Sequence, residues 1–276
     1  MFDICPKQYH FYYLDPIYSK MKNTLKRKSQ HIWPFYTLGK AVHNAITLFY
    51  HDTQTHSLQK LKDSLKEVWQ SEVEPRKKPP LLKWGGFATI EEEREAYRQA
   101  LLMLNNFYGC QINPEVEYLP TADFSHSIKD YTDLITPLSS DFDISGKFDL
   151  VAKEKNGNLH IIDFKTSKKE EANPFQLKFY KVLAESKFGK KVEKASFYFL
   201  RTGKKQEFAL DKDSLEALRE EILKKIELIG KTQNFDPLPG KLCRFCLFRT
   251  FCPQKEEVKK FINESEKEDF SDDLPF

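Results

Sequence analysis

The sequence predicts an α/β fold with a central mixed sheet flanked by helices, and its second half carries that prediction. Two strand-like runs, DISGKFDLVAKE (143–154) and NLHIIDFKTS (158–167), are joined through Asn156-Gly157, which is a strong hairpin signal. Helical segments and further strand-like runs follow this hairpin along the chain. Strands mixed with helices in this way favour a layered α/β domain.

The first half of the chain is expected to be mostly helical. Thr89 and Glu92 fit a capping box, in which side chains at a helix start satisfy free backbone N–H groups. The expected helices are a short aromatic-rich one over residues 1–14, one over 38–51, an amphipathic one over 57–72 and one over 89–108. Residues 52–110, which include a basic loop at 74–86, are therefore interpreted as a helical insertion.

The remaining elements follow from shorter signals. Asn173 is a good N-cap and Pro174 suits the first helical position, so a helix is expected to start there. The other expected elements are strands over 115–119, 195–200 and 206–210, an irregular polar stretch over 121–140 and a helix over 212–232.

The composition is that of an ordinary globular protein, with 276 residues, 40% of them hydrophobic and 31% charged. No apolar run approaches the length of a membrane span, and the N-terminus lacks the features of a signal peptide. Five cysteines in a chain this long do not make a disulfide scaffold, so a reducing, cytoplasmic location is expected. Gly230-Lys231-Thr232 lacks the upstream glycine of a phosphate-binding loop, which excludes a P-loop NTPase.

The charge is distributed unevenly along the chain. The formal net charge is +3, but residues 256–276 contain eight acidic residues and three lysines and carry −5. Residues 1–255 therefore carry +8, which is compatible with nucleic-acid binding. We expect residues 1–255 to form the folded domain and residues 256–276 to be an acidic, disordered tail.

The predicted hairpin brings two carboxylates and a lysine together. Asp163 and Lys165 lie two apart on one strand and share a face. A two-residue turn at Asn156-Gly157 would place Asp149 opposite Phe164, on the wrong face. A three-residue loop over 155–157 instead pairs Asp149 with Asp163, and Gly157 suits its left-handed third position, so the local chemistry allows the cluster. Such carboxylates suit Mg²⁺ or Mn²⁺, and with a lysine beside them they can support metal-assisted phosphodiester hydrolysis. The simpler interpretation is a surface hairpin with an Asp–Lys ion pair.

Several ordered blocks resemble the PD-(D/E)XK nuclease superfamily, and specifically its RecB-like branch. The blocks are GKAVH (39–43), VEY (116–118), GKFDLV (146–151), IIDFKTS (161–167) and QLKFY (176–180). The resemblance implies a restriction-endonuclease-like sheet flanked by helices. It also implies that His43, Asp149 and Asp163 are metal ligands, that Lys165 is the catalytic lysine, and that Gln176 and Tyr180 form the family's Gln-x-x-x-Tyr pair.

His43, Gln176 and Tyr180 can also be interpreted from their local sequence, independently of the resemblance. Gly39, one turn before His43, lets the helix approach another segment closely, although a lone helical histidine is usually structural. Gln176 and Tyr180 lie at i and i+4 on one helix face, where they either pack on the sheet or support Lys165 and contact DNA. Glu117 is a weaker candidate for a further acid near the metal.

Cys243, Cys246 and Cys252 lie within thirteen residues and need a fourth ligand to bind a metal or a cluster. The resemblance implies that Cys5 is that ligand and that a four-iron (4Fe–4S) cluster joins the N-terminal segment to residues 241–253. Zinc and free thiols are the alternatives. Cys110 lies outside this pattern and is interpreted as a small structural residue.

The sequence thus predicts a Mg²⁺- or Mn²⁺-dependent deoxyribonuclease, expected to be an exonuclease on single-stranded or unwound DNA in recombination and repair. The resemblance extends to CRISPR-associated RecB-like nucleases and to the nuclease domains of helicase–nucleases, so a helicase or repair protein is an expected partner. Aromatic residues near basic ones, as in KQYHFYYL (7–14), can stack bases. The alternative function is a non-cleaving DNA-binding scaffold or accessory domain.

The chain ends in EKEDFSDDLPF, in which Asp272, Asp273 and the final Leu-Pro-Phe resemble the acidic tip of bacterial single-stranded-DNA-binding proteins. Such a tip would place Phe276 and its carboxylate in a basic pocket of a repair partner, or would cover this chain's own DNA-binding surface. The simpler interpretation is a solvated tether.

Overall fold

The computed structural model describes residues 1–29, 34–51, 56–73, 86–110, 115–118, 134–167, 170, 174–210 and 214–265. They form two compact units: a smaller one within residues 1–31 and 223–274, and a larger one within residues 32–222. No helix among the described residues is long and apolar enough to cross a membrane.

The larger unit contains a five-stranded mixed sheet. The strands along the chain are β1 (Val116–Tyr118), β2 (Ile135–Pro137), β3 (Asp143–Ser145), β4 (Leu150–Lys153), β5 (Leu159–Lys165), β6 (Val192–Phe199) and β7 (Lys204–Ala209). The sheet order is β1-β4-β5-β6-β7, and β2 pairs with β3 in a separate ribbon. Only β5 and β6 pair in parallel; every other neighbouring pair is antiparallel. The predicted mixed sheet is confirmed.

Eight α-helices lie among the described residues. They are α1 (Pro6–Tyr9), α2 (Pro16–Ser29), α3 (Pro34–His51), α4 (Leu58–Val73), α5 (Ile90–Gly109), α6 (Pro174–Phe188), α7 (Leu215–Lys231) and α8 (Lys255–Ser265). The helices predicted over 38–51, 57–72 and 89–108 are confirmed as α3, α4 and α5, and the one predicted over 212–232 as α7. No prediction was made for α2. The N-cap expected at Asn173 and most of the loop at 74–86 lie outside the described residues.

The two faces of the sheet are covered by different helices. Because side chains alternate along a strand, Ile162 and Phe164 of β5 point to the face opposite Asp163 and Lys165. Ile162 and Phe164 belong to a buried apolar cluster that includes residues of α3, α4 and α5. The opposite face receives α6, which contacts β5 and β6.

The helices of the predicted insertion share this core. Leu61 and Leu65 of α4 and Met103 and Leu104 of α5 are fully buried in the cluster that contains the sheet residues. The start of α5 differs slightly from the expected capping box. Thr89 Oγ1 accepts the N–H of Glu92 at 3.1 Å, whereas the Glu92 carboxylate accepts the N–H of Ala88 at 2.6 Å instead of that of Thr89.

The run at 143–154 is not one strand as predicted. It is divided into β3, which pairs with β2, and β4, which joins the main sheet. The break contains Gly146, where an added Cβ would lie 2.8 Å from Leu183 of α6, so the chain passes very close to that helix. The stretch at 121–140 is not wholly irregular either, since its end forms β2; residues 121–133 lie outside the described residues.

The smaller unit packs around Phe248, which is almost fully buried. The rings of Phe11, Tyr12 and Tyr18 lie within 6 Å of it, with centroid distances of 5.4, 5.1 and 5.9 Å. The predicted helix over 1–14 is α1, continued by a π-helical turn at His10–Leu14.

The tail is not disordered from its start as expected, since α8 extends to Ser265. The C-terminal tip, including Asp272, Asp273 and Phe276, lies outside the described residues.

Candidate active site

The β4–β5 hairpin has the predicted three-residue loop. Leu150 pairs with Ile162 and Lys153 with Leu159, and Glu154 and Asn158 close the loop with a backbone hydrogen bond of 2.8 Å. Gly157 has a φ of 86°, the left-handed conformation that favours glycine. Continued one residue beyond β4, this register places Asp149 opposite Asp163.

Asp149 contacts both a helix and the neighbouring strand. Its Oδ1 lies 3.1 Å from Nδ1 of His43 on α3, and its Oδ2 accepts the N–H of Phe164 at 2.8 Å. Helix α3 comes close to the end of β5, because a Cβ on Gly39 would lie only 3.1 Å from Thr166 Oγ1. The close approach inferred from Gly39 is therefore present, and it carries His43 to Asp149.

Asp163 and Lys165 form a buried ion pair on the face covered by α6. The Nζ of Lys165 lies 2.8 Å from Oδ2 of Asp163, and the two residues are only 8% and 5% exposed. Oδ2 nevertheless receives no hydrogen bond of good geometry in this contact, so it keeps acceptor capacity for a further ligand. Lys165 Nζ also lies 5.2 Å from the ring centroid of Phe197, which limits where the ammonium group can move.

Gln176 links the acid, the lysine and the tyrosine. Its Nε2 donates to Asp163 Oδ1 at 2.9 Å and to the Tyr180 hydroxyl at 3.1 Å, and its Oε1 accepts from Lys165 Nζ at 3.0 Å. Direct contacts thus join His43 to Asp149 and join Gln176 to Asp163, Lys165 and Tyr180, and the charges of the two groups act on one another. Only one of the two interpretations of the Gln176–Tyr180 pair includes support of Lys165. The contact between Gln176 and Lys165 fits that interpretation, and the hydrogen bond between Gln176 and Tyr180 fits both.

The ionisation of these groups is interdependent. Burial raises the pKa of Asp163, the nearby Asp149 carboxylate adds to the effect, and the result is a pKa of about 6 despite the opposing charge of Lys165. Burial also acts to raise the pKa of Asp149, but the charge and hydrogen bond of His43 outweigh it, and that pKa is lowered. The pKa of His43 is raised, because the attraction of Asp149 exceeds the effect of burial.

Two carboxylates that repel each other in a buried site fit a divalent cation. Mg²⁺ commonly binds one or two carboxylates and completes its shell with water and phosphate oxygens. The acceptor capacity of Asp163 Oδ2 adds to that fit. Across the described ranges, no three His, Cys, Asp or Glu side chains are arranged to hold a metal ion by themselves.

Glu117, the weaker candidate for a further acid near the metal, contacts a lysine. Its Oε1 accepts from Lys190 Nζ at 2.6 Å, so the described contacts tie this glutamate to a lysine after α6. Sequence reasoning missed Arg201, whose Nε donates to the carbonyl of Thr166 at 2.7 Å, directly after Lys165. Arg201 follows an apolar strand without any motif, so the sequence contained no signal for it.

The four cysteines Cys5, Cys243, Cys246 and Cys252 line one pocket in the smaller unit. Backbone N–H groups point at three of the sulfurs: Leu238 N lies 3.5 Å from Cys5 Sγ, Gly240 N lies 3.3 Å from Cys243 Sγ, and the N–H of Phe248 bonds Cys246. Such donors stabilise sulfur that carries negative charge.

The sulfurs of Cys243 and Cys246 are poorly placed to be free thiolates. Burial raises the pKa of Cys243, and it raises the pKa of Cys246 to about 12. These thiols remain protonated near neutral pH unless a cationic group enters the pocket. Cys110 is exposed, at the end of α5 in the larger unit.

The fold and the site together define an α/β protein in which the inner strands β4 and β5 bring two acids and a lysine together. The sequence model of the PD-(D/E)XK nuclease superfamily matches residues 1–253, and the chain belongs to that superfamily. Membership indicates a nuclease. No curated protein matches the chain.

Proposed function

We propose that this chain is a Mg²⁺- or Mn²⁺-dependent deoxyribonuclease, an exonuclease that acts on single-stranded or unwound DNA in recombination and repair. One observation carries the proposal: Asp149, Asp163 and Lys165 meet in one buried cluster at adjacent strand ends. Superfamily membership supports the nuclease activity. The single-stranded substrate and the repair role come from the RecB-like resemblance and the basic body of the chain.

Asp149 and Asp163 are the residues that would hold the cation, with His43 as the third candidate ligand. A bound divalent ion polarises a phosphate oxygen and favours formation of the attacking nucleophile from water. His43 keeps Asp149 ionised, because its charge and hydrogen bond lower the pKa of that carboxyl. Asp163, with a pKa of about 6, is ionised for the most part at neutral pH.

Lys165 supplies a fixed positive charge beside the two acids. At the reacting phosphate it would donate a hydrogen bond and stabilise the negative charge that develops there. Gln176 holds Lys165 and Asp163 at once, so it fixes the separation between the ammonium group and the carboxylate. Tyr180 fixes the amide of Gln176 in turn.

The direct test is digestion of end-labelled single- and double-stranded DNA with Mg²⁺, Mn²⁺ or EDTA. The wild-type protein should release end label from single strands only with a divalent ion, and Asp163→Ala should be inactive. Asp143→Ala removes an exposed carboxylate of β3 and serves as the matched control that should keep full activity. DNA binding without any metal-dependent cleavage would favour the scaffold function instead.

We further propose that Cys5, Cys243, Cys246 and Cys252 hold a 4Fe–4S cluster. A four-iron cluster takes one thiolate for each iron, and all four cysteines line the same pocket. The backbone N–H groups directed at the sulfurs support the same proposal. The cluster would link the first residues of the chain to the segment at 241–253.

The cluster proposal is tested by iron and zinc analysis of anaerobically purified protein. Cys5→Ala should lose iron as completely as Cys246→Ala, whereas Cys110→Ala should retain it. Full iron in Cys5→Ala, together with its loss in Cys246→Ala, would remove Cys5 from the ligand set. Stoichiometric zinc in place of iron would replace the cluster with a zinc site.

A further inference from the structure

The smaller unit exposes an aromatic and basic surface that the proposed active site does not use. Among the aromatic residues of the stretch at 7–14, Phe11 and Tyr12 pack against Phe248 and are committed to the core of the unit. Tyr13 is 56% exposed, and its ring centroid lies 5.0 Å from that of Tyr9. The structure therefore leaves one ring pair of this stretch available to a ligand.

The side chain of one lysine lies beside this ring pair. Lys22 of α2 places its Nζ 5.7 Å from the ring centroid of Tyr13. Within the part of the chain that the structure describes, neither Lys20 nor Lys22 forms an ion pair with a carboxylate. An unpaired ammonium group over an exposed tyrosine can contact a phosphate while a base stacks on the ring.

The surrounding segment is strongly positive. Residues 6–29 contain six lysines and arginines and a single acid, Asp15. That acid is used structurally, because its Oδ1 accepts the N–H groups of Ile17 and Tyr18 at 2.9 and 3.0 Å at the start of α2. Asp15 therefore caps the helix, and the segment is left with a large excess of positive charge.

We propose that Tyr9, Tyr13 and Lys22 form a second nucleic-acid-binding surface, which stacks one or two bases of a single strand and neutralises an adjacent phosphate. Its site is distinct from the acidic cluster in the larger unit. The inference rests on the proposed function only for the choice of DNA as the anionic polymer. Charge complementarity favours a polyanion, and an aromatic ring pair favours one with bases over one without.

An anionic membrane is the competing ligand for such a surface, because Leu14 and Ile17 are exposed next to Tyr13. Apart from Pro16 and Ile17, the exposed positions among the described α2 side chains are polar or charged, namely Lys20, Asn23 and Thr24. An interfacial helix would present a broader apolar face. Nucleic acid is therefore the better match.

The test is fluorescence anisotropy of the full-length protein with labelled oligo(dT) in EDTA, where cleavage does not occur. Tyr13→Ala should weaken binding about tenfold, and Tyr13→Phe should bind like the wild type. Lys22→Gln should weaken binding and reduce the slope of log affinity against log salt by about 0.7. Tyr108→Ala, at an exposed tyrosine of the larger unit, is the matched control and should have no effect.

Tyr13→Leu, which keeps apolar bulk but removes the ring, replaces Tyr13→Ala if that variant unfolds. Wild-type affinity in both Tyr13→Leu and Lys22→Gln would overturn the inference. Loss of adsorption to anionic phosphatidylserine vesicles in these variants, with unchanged DNA affinity, would assign the surface to membranes. If the wild-type protein cleaves DNA and these variants bind DNA normally, only this inference is wrong. If the wild-type protein does not cleave DNA, the result counts against the proposed function instead.

Discussion

At the scale of single residues, Gln176 links three groups of the proposed active site: an acid, the lysine and a tyrosine. It donates to Asp163 and Tyr180 and accepts from Lys165, all within 3.1 Å. Because one amide fixes both an acid and the lysine, its loss leaves two buried charged groups less well positioned. Groups that orient metal ligands typically change activity by about 10–100-fold when removed.

We therefore expect Gln176→Ala to lower single-turnover cleavage by at least about tenfold with little change in DNA affinity. Gln206→Ala, at an exposed glutamine of β7, is the matched control. Tyr180→Phe should have a smaller effect, because Gln176 keeps its bonds to Asp163 and Lys165. Unchanged single-turnover rates in Gln176→Ala would show that the amide does not position the lysine.

A second residue-scale prediction concerns His160, which is buried outside the acidic cluster. Its Nε2 lies 2.8 Å from Ser196 Oγ and its Nδ1 lies 3.2 Å from Glu154 Oε1. Burial lowers the pKa of His160, and the charges of Lys205 and Lys194 add to that effect. Glu154 and Glu207 act in the opposite direction, and the net result is a pKa of about 4. The unfolded chain, in which the pKa is near 6.5, therefore takes up the proton first.

Stability from this group is present above pH 6.5 and is lost as the pH falls towards 4. The contribution amounts to about 2 kcal/mol between pH 7 and pH 5. Asp163, with its raised pKa, acts in the opposite direction, so the comparison must isolate the histidine. Urea unfolding of His160→Gln should show a shallower loss of stability between these pH values than the wild type. Parallel pH profiles would assign no such contribution to His160.

At the scale of secondary-structure elements, α5 stabilises the end of β5 through Arg201. Arg201 Nη1 donates to Gln99 Oε1 of α5 at 2.6 Å, while its Nε donates to the Thr166 carbonyl at 2.7 Å. Asn106 of α5 donates to the Leu200 carbonyl at 2.8 Å. The predicted helical insertion is thus connected to the backbone that follows Lys165.

We expect Arg201→Met to reduce cleavage about tenfold at saturating DNA and to raise the Mg²⁺ concentration needed for half-maximal rate. Arg98→Met, at an exposed arginine of α5, removes the same charge without contacting the strand end and should be silent. Arg201→Lys should recover only part of the activity, because an ammonium group cannot make both planar contacts. A lowered melting temperature with an unchanged Mg²⁺ dependence would mean that Arg201 is only structural.

Secondary-structure elements could be predicted from the sequence where a local signal, such as a turn glycine, was strong. Gly157 allowed a three-residue loop whose register pairs Asp149 with Asp163, and the hairpin of the structure has this loop. The division of 143–154 into β3 and β4 was not predictable, because the break at Gly146 lies against Leu183 of α6, which is distant in sequence. The roles of Cys5 and His43 depended on the resemblance, since each is isolated in sequence from the residues that it lies near.

At the scale of the whole molecule, the superfamily match spans both units, from residue 1 to residue 253. The acidic cluster lies wholly in the larger unit, and the four cysteines lie wholly in the smaller one. The chemistry of the two sites can therefore be tested separately, by metal binding at the carboxylates and by iron content at the cysteines.

The central claim is that Asp149 and Asp163 bind the divalent ion and that Lys165 acts on the substrate. Calorimetric titration of Mn²⁺ into the wild-type protein, Asp163→Ala and Lys165→Ala tests it most directly when cleavage is measured on the same samples. The account predicts loss of Mn²⁺ binding and cleavage in Asp163→Ala, but retained binding with lost cleavage in Lys165→Ala. Wild-type Mn²⁺ affinity and turnover in folded Asp163→Ala protein would contradict it.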